Sequence, residues 1–398
     1  MAKVHIVRHK PGAVFCSTAE VILIDDQHNI SRLVEPSGNV GTQYPSGIGS
    51  EWFGTIENLN AGLALGKAHW SDVYKTDVLW TTPSAKKEDC QQRRDEFNAV
   101  YGAMINRCTG GPLRSNRMAR FTHREGFPDP KALFEVQIRA ALGPTVKVGE
   151  GKIDYGYWVD HQPSGASVSH KKGEEWVHTL GPDVAKETEF VLDEHYAKPF
   201  AAQGIDFRKQ TAWLELLVAV DDAPEKTWAR IEIVRHTCEK YFGDHRPAGL
   251  IYPVSRIPNL DGIVEPQPRV VSGEVEIVRS GELADGFSTW TALRYGGITE
   301  VMVSAVGGDE ADQILGVIDG RVKQAGGRGL KEDGVFNNAY VGAGADSAAN
   351  REALKRFNGT FISYYQGCVP SGRTAQFIGG IQQSKHPFGI ANRSIFAA

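Results

Sequence analysis

The sequence predicts an α+β protein of three tandem sibling domains that close into an intramolecular pseudo-trimer. Three observations lead there. One pattern recurs three times along the 398 residues, and each copy joins β-rich runs to amphipathic helices. Each copy is also roughly 120–140 residues long, the size of a small domain and too long for a solenoid unit.

In the first copy Ile56, Leu59 and Leu63 share a helical face, and Gly66 closes that helix. The run Val73 to Trp80 alternates as a strand, with Val73, Lys75, Asp77 and Leu79 on one face and Tyr74, Thr76, Val78 and Trp80 on the other. Phe97, Val100, Tyr101, Met104 and Ile105 then repeat at helical spacing. The second copy has Gly204, a strand from Thr211 to Val218, and a helix begun by Asp221, Asp222 and Pro224. Its apolar stripe is Trp228, Ile231, Val234, Cys238 and Tyr241, ending near Phe242. In the third, Ile314, Leu315, Val317 and Ile318 form an apolar helix, followed by Gly326-Gly327 and a strand from Gly334 to Val341. Asp346 or Ser347 caps its last helix, which is expected to end near Phe357. Strands followed by crossover helices place the helices on one side of a mixed sheet. Polar turns at Gly143-Pro144 and near Val271-Ser272-Gly273 set the boundaries, giving domains 1–144, 145–272 and 273–398. The stretch from His28 to Ser50, rich in Gly, Ser and Pro, reads as loop and hairpin.

Bulk properties narrow the function. A net charge of -4 leaves no basic footprint for nucleic acid, and the longest apolar runs, such as Leu214 to Val220, are too short for a bilayer. No nucleic-acid or membrane partner is expected. The N-terminal segment lacks the apolar core of a signal peptide, and Cys16, Cys90, Cys108, Cys238 and Cys368 show no paired spacing, so a reduced cytoplasm is expected. His5, His9, His178, His195, His236 and His245 have no metal-binding spacing, so no metal site is expected. No strand–GxGxxG–helix unit suggests a dinucleotide. Cys368 has no His/Asp pairing and reads as a small buried residue.

Four short motifs in the first copy occur in a familiar order: Asp72 to Trp80, Phe97 to Tyr101, Pro112-Leu113-Arg114-Ser115 and Leu133-Phe134-Glu135-Val136. Together they resemble the RidA (YjgF) family of reactive-intermediate imine/enamine deaminases. That family shows a V-K-T-x-V strand, an asparagine in the second helix, a P-x-R-S turn and a V-E-I-E strand. The second copy matches from Arg246 to Pro258, and the third from Asn350 to Phe357 and from Pro370 to Thr374. The resemblance implies RidA-like (chorismate-mutase-like) domains that trimerise with sheets inward and bind ligands in the clefts between them.

Carried over residue by residue, the carboxylate-binding arginine falls on Arg114, the catalytic glutamate on Glu135 and the helix asparagine on Asn98. Arg117 competes with Arg114 because the turn after Arg114 is shorter than the family's. In the second copy Gly249 holds the arginine position, Arg235 the asparagine position, and Glu265 keeps the glutamate. In the third, Arg373 and Asn350 are present and Ala391 stands at the glutamate position. A cleft shared by two copies would then pair Glu265 with Arg373. Physically, a planar guanidinium holds a carboxylate through two parallel hydrogen bonds, and a nearby glutamate can activate water and pass a proton to nitrogen. Imine hydrolysis needs no metal or organic cofactor.

The leading expectation is a hydrolytic deaminase. Its substrate would be a small carboxylated imine or enamine, or an aminomuconate-like intermediate of aromatic catabolism, with release of ammonia. Two alternatives stand beside it. One is a chorismatase-like hydrolase of a cyclic enol acid, against which Ala391 weighs. The other is a non-catalytic regulatory protein that binds small carboxylates. Further association into a homo-oligomer is left open.

Overall fold

Near-strict alternation along Phe134-Glu-Val-Gln-Ile-Arg-Ala140 sends Phe134, Val136, Ile138 and Ala140 to one side and Glu135, Gln137 and Arg139 to the other. That strand stands for the whole architecture, in which helices cover one face of each sheet and the sheets turn their other faces toward one another. The computed structural model describes residues 1–10, 18–109, 116–123, 127, 129, 131–143, 146–148, 151–154, 158–160, 183–202, 204–220, 223–257, 260–271, 275–282, 289–307, 311–342, 347–378 and 388–398.

The chain begins with a meander, β1 (Lys3–His9), β2 (Thr18–Ile24) and β3 (Ile30–Pro36). Helix α1 (Ile48–Leu65), strand β4 (Val73–Thr82), helix α2 (Lys87–Thr109), β5 (Asn116–His123) and β6 (Phe134–Leu142) follow. The last strand slips between β3 and β4, so the sheet order is β1-β2-β3-β6-β4-β5. Only β4 and β5 run parallel, because a helical crossover joins them.

The same order appears twice more. The second sheet takes β7 (Val146–Val148), β8 (Gly151–Asp154), β9 (Trp158–Asp160), β10 (Thr211–Ala219), β11 (Ile251–Val254) and β12 (Val264–Val271). The third takes β13 (Glu276–Glu282), β14 (Thr289–Tyr295), β15 (Ile298–Gly307), β16 (Gly334–Gly342), β17 (Gly372–Ile378) and β18 (Phe388–Ala397). Their orders are β7-β8-β9-β12-β10-β11 and β13-β14-β15-β18-β16-β17. In the second unit Val184–Phe190, Val191–Ala197 and Lys198–Ala201 run on as one helix, α3, whose middle is π-helical, and α4 spans Pro224–Phe242. The third unit has α5 (Ala311–Gln324) and α6 (Ser347–Tyr364). The fold is therefore mixed α+β. Three sequence expectations are corrected: the last helix extends to Tyr364, Ile30–Pro36 is a full strand within the stretch read as loop and hairpin, and Cys368 is exposed rather than buried.

Each helical layer has its own apolar core: Trp52, Phe97 and Phe134 in the first unit, Phe200, Phe207 and Val234 in the second, and Leu315, Phe357 and Phe361 in the third. Burying one such side chain contributes about 1.5–3 kcal/mol. A fourth cluster is shared, with Val21, Leu33, Ala212, Val271, Leu293 and Phe336 meeting from all three sheets. The sheets pack in a regular step, with β16 against β2 and β10 against β14. Arg8 ties the ends together, donating to the carbonyls of Lys331 (2.6 Å), Val369 (2.9 Å) and Gly334 (2.6 Å). No helix among the described residues is long and apolar enough to cross a membrane.

Candidate active site between the first and third sheets

A β-bulge at one place in every sheet supplies a common ruler. It lies between Val73 and Lys75 against β6, between Thr211 and Trp213 against β12, and between Gly334 and Phe336 against β18. Just past it, Arg139 faces Lys75, Arg269 faces Trp213 and Arg393 faces Phe336. One arginine therefore stands at one register in each sheet. All three act on buried Glu35 of β3: Arg393 donates to its Oε1, Arg139 Nε lies 3.6 Å from its Oε2, and Arg269 adds its charge. Burial pushes the Glu35 carboxyl up, but the three guanidinium groups outweigh it and hold it below the usual carboxylate range. A cavity of ≈ 40 Å³ adjoins this cluster, bordered also by Gln137 and Asn338.

Measured on that ruler, Glu135 faces Leu79, Glu265 faces Leu217, and Gly389 faces Tyr340 at the same step. The glutamate position of the third unit is thus Gly389; Ala391, assigned from sequence, sits level with Gln137 and Gln267. For the arginine, Arg117 faces Thr76 and Arg373 faces Asn337, equivalent steps on β5 and β17. In the second sheet the bridge from Trp213 to Ala248 leaves Gly249 at that step. Arg114 lies outside the described residues, as does the side chain of Arg117.

Glu135 and Arg373 come together across the boundary between the first and third sheets. Loop residues 37–39 follow β3 and are stitched to β6 beside Glu135 by paired 2.9 Å hydrogen bonds between Asn39 and Val136. Gly38 N–H donates to Thr374 Oγ1 at 2.8 Å, and Arg373 N–H reaches Ser37 Oγ at 3.5 Å. A Cβ on Gly38 would collide with Glu135 Oε1 and Thr374 Oγ1, so only glycine lets the loop pass this closely. The Arg373 guanidinium donates to Asn358 Oδ1 and sits 5.4 Å from the Phe361 ring centre. Burial pulls Arg373 down to about 10 and the charge of Glu135 opposes that, so Arg373 is a cation at neutral pH.

The expected pairing of Glu265 with Arg373 is therefore corrected, since the acid facing Arg373 is Glu135. The asparagine beside the arginine is Asn358, whereas Asn350 is buried about two turns earlier in α6. The missed signal was a dipeptide: Phe97-Asn98 in α2 recurs as Phe357-Asn358 in α6. Both phenylalanines fill their cores, placing Asn98 and Asn358 at matching points. Glu265 accepts from Gln267 Nε2 at 3.4 Å.

Behind Glu135, the buried Glu51 carboxylate of α1 accepts from Leu133 N–H at 2.9 Å and Phe134 N–H at 3.2 Å. Burial raises Glu51 to about 7 against the pull of those two hydrogen bonds. Glu187 of α3 holds Ile263 N–H (2.6 Å) and Val264 N–H (3.2 Å) beside Glu265 in the same manner.

The boundary between the second and third sheets is different. Leu217, Leu250, Tyr252, Val254, Val306 and Tyr340 fill it. Tyr252 and Tyr340 both donate to Glu215 Oε1, at 2.5 and 2.6 Å. Gly249 N–H donates to Thr289 Oγ1 at 3.0 Å across the boundary.

No protein-family model matches the chain, and no curated protein matches it significantly. Among solved structures it is similar to a chorismatase, with 12% identity, a TM-score of 0.43, and coverage of 81% of this chain and 93% of that one. It is also similar to YjgF-family proteins from Mycobacterium tuberculosis and Neisseria meningitidis. Each of these is 14% identical with a TM-score of 0.25, covering 35% and 34% of this chain and 100% and 93% of theirs. These likenesses concern architecture and say nothing of substrate.

Proposed function

We propose that the chain is a hydrolytic deaminase of small carboxylated imines or enamines, working in the cleft between the first and third sheets. The observation that carries this reading is the convergence of Glu135 and Arg373 from different sheets beside the loop at Gly38. The domains would be 1–144, 145–272 and 273–398, set about a pseudo-threefold axis; the shared strand order, bulge and inward arginine support that division.

Arg373 takes the role expected of Arg114. Its guanidinium grips the substrate carboxylate and turns the C=N carbon toward Glu135. Glu135 accepts a proton from water as the oxygen adds to that carbon, then returns it to nitrogen. The carbinolamine collapses to a carbonyl compound and ammonia, so one water is consumed per imine and no redox partner is needed.

The test is ammonia release from 2-iminopropanoate generated in situ by an amino-acid oxidase. The expected result is release faster than spontaneous hydrolysis, lost in Arg373→Ala and in Glu135→Gln. A rate equal to the protein-free control overturns the reading. Pyruvate released from chorismate would move the assignment to the enol-acid hydrolases, and saturable binding without product would move it to a carboxylate sensor.

A further inference from the structure

We infer that the cavity beside Glu35 is a built water site, in which ordered waters stand where the third unit lacks a glutamine side chain. The site is independent of the reaction assigned above.

Register gives the first part of the argument. At one step of the three sheets Asp77 faces Gln137, Glu215 faces Gln267 and Asn338 faces Ala391. Two sheets thus set a carboxylate opposite a glutamine, and the third sets an amide opposite an alanine. Alanine is shorter than glutamine by a methylene and a carboxamide. Ala391 borders the cavity together with Asp77, Gln137 and Asn338, so the space lies where the repeated pattern loses a side chain. Its volume of ≈ 40 Å³ admits about two or three waters, at roughly 10–15 Å³ each.

The polar atoms around it give the second part. Gln137 is only 5% exposed, yet its Nε2 has no hydrogen-bond partner among the described residues. The same holds for Asp77 Oδ1, Asn338 Oδ1 and Glu35 Oε2, whose residues also border the cavity. Two of these oxygens face cations just beyond hydrogen-bond range. Arg139 Nε is 3.6 Å from Glu35 Oε2, and Lys75 Nζ is 3.8 Å from Asp77 Oδ1. Polar groups held at such separations accommodate a bridging water.

The same pairs choose among ligands. An anion would meet the carboxylates of Glu35 and Asp77, and a metal ion would meet Lys75 and three guanidinium groups. Water suits both signs, donating to the three oxygens and accepting from Gln137. It leaves no buried polar atom unsatisfied and joins Asp77 and Gln137 of the first sheet to Asn338 of the third.

A crystal structure of the full chain grown with sodium bromide tests this. About two or three peaks without anomalous signal are expected within hydrogen-bond distance of Gln137 Nε2 and Asn338 Oδ1. A bromide ion, a metal ion or an empty cavity overturns the inference. Ala391→Gln restores the missing amide and should expel at least one water, read as a fall in long-lived waters by oxygen-17 relaxation dispersion. An unchanged count in that variant, once folded, overturns it as well. Ala391→Leu, similar in size but with no amide, should have a lower urea midpoint than Ala391→Gln, and equal midpoints count against the site. If either variant fails to fold, the wild-type crystal still decides.

Discussion

Two clefts of this molecule are built from the same strands in the same register and have become opposites. Where the third sheet meets the first, a guanidinium, a carboxylate and a glycine-bearing loop are crowded together. Where the second meets the third, the same positions are Gly249 and Gly389, and leucines, valines and a tyrosine pair fill the space. Burying a charge costs free energy unless it is well paired, whereas burying apolar surface contributes about 25 cal/mol per Å². The comparison teaches a division of labour: one boundary holds charged groups at some expense in stability, and another is sealed by apolar packing that holds the sheets together.

The strongest way to break that comparison is to exchange the two. Gly249→Arg combined with Gly389→Glu should prevent folding or lower stability by more than about 4 kcal/mol, because a Cβ on Gly249 already collides with the Leu214 carbonyl. A stable double variant, by chemical denaturation, would show that the sealed boundary is not needed for cohesion.

Next in size is a pH effect behind the polar cleft. The folded chain holds the Glu51 proton up to about 7, against 4.5 for the free side chain. Between those values the folded state binds more protons than the unfolded one, so this group's contribution falls as pH rises from about 4.5 to about 7. The drop approaches 3 kcal/mol, at about 1.4 kcal/mol per pH unit. Arg93 and Asp129 are the charged groups acting on Glu51, with opposite signs. Denaturation midpoints across that interval should flatten in Glu51→Gln; an unchanged slope would assign the effect elsewhere.

Smaller effects discriminate more finely. Tyr340→Phe should cost about 1–2 kcal/mol by removing one of two donors to Glu215, and Tyr252→Phe a similar amount. The double variant should cost more than the sum, because Glu215 then loses both hydroxyls. Arg373→Met should change stability least, by less than about 1 kcal/mol in either direction, since a cation whose burial opposes its charge is replaced by a side chain suited to Phe357 and Phe361. A loss above 3 kcal/mol would make Arg373 a structural residue.

Much of the fold was legible in the sequence because burial on one face writes a period into the chain. The predicted runs from Val73, Thr211 and Gly334 all fall within β4, β10 and β16. The candidate site was legible only in pieces. Arg114 and Glu135 are grouped within the first copy and the one pairing across copies joins Arg373 to Glu265, so the sequence reading never sets Glu135 and Arg373 together. Placing the third glutamate position at Ala391 rather than Gly389 was a slip of two residues. In a strand such a slip keeps every side chain on its face, so alternation cannot expose it; only the bulge does. β3 was hidden because the glycines and serines after it set the character of the whole stretch.

The arginines around Glu35 have one more consequence. Each comes from a different sheet, yet they share a single buried counter-charge that is also held by hydrogen bonding to Arg393. Removing the first unit would take the shared acid away from Arg269 and Arg393 in a place bulk water reaches poorly. Glu35 therefore acts as a keyway, favouring the alignment of the three sheets that brings their guanidinium groups to the same acid.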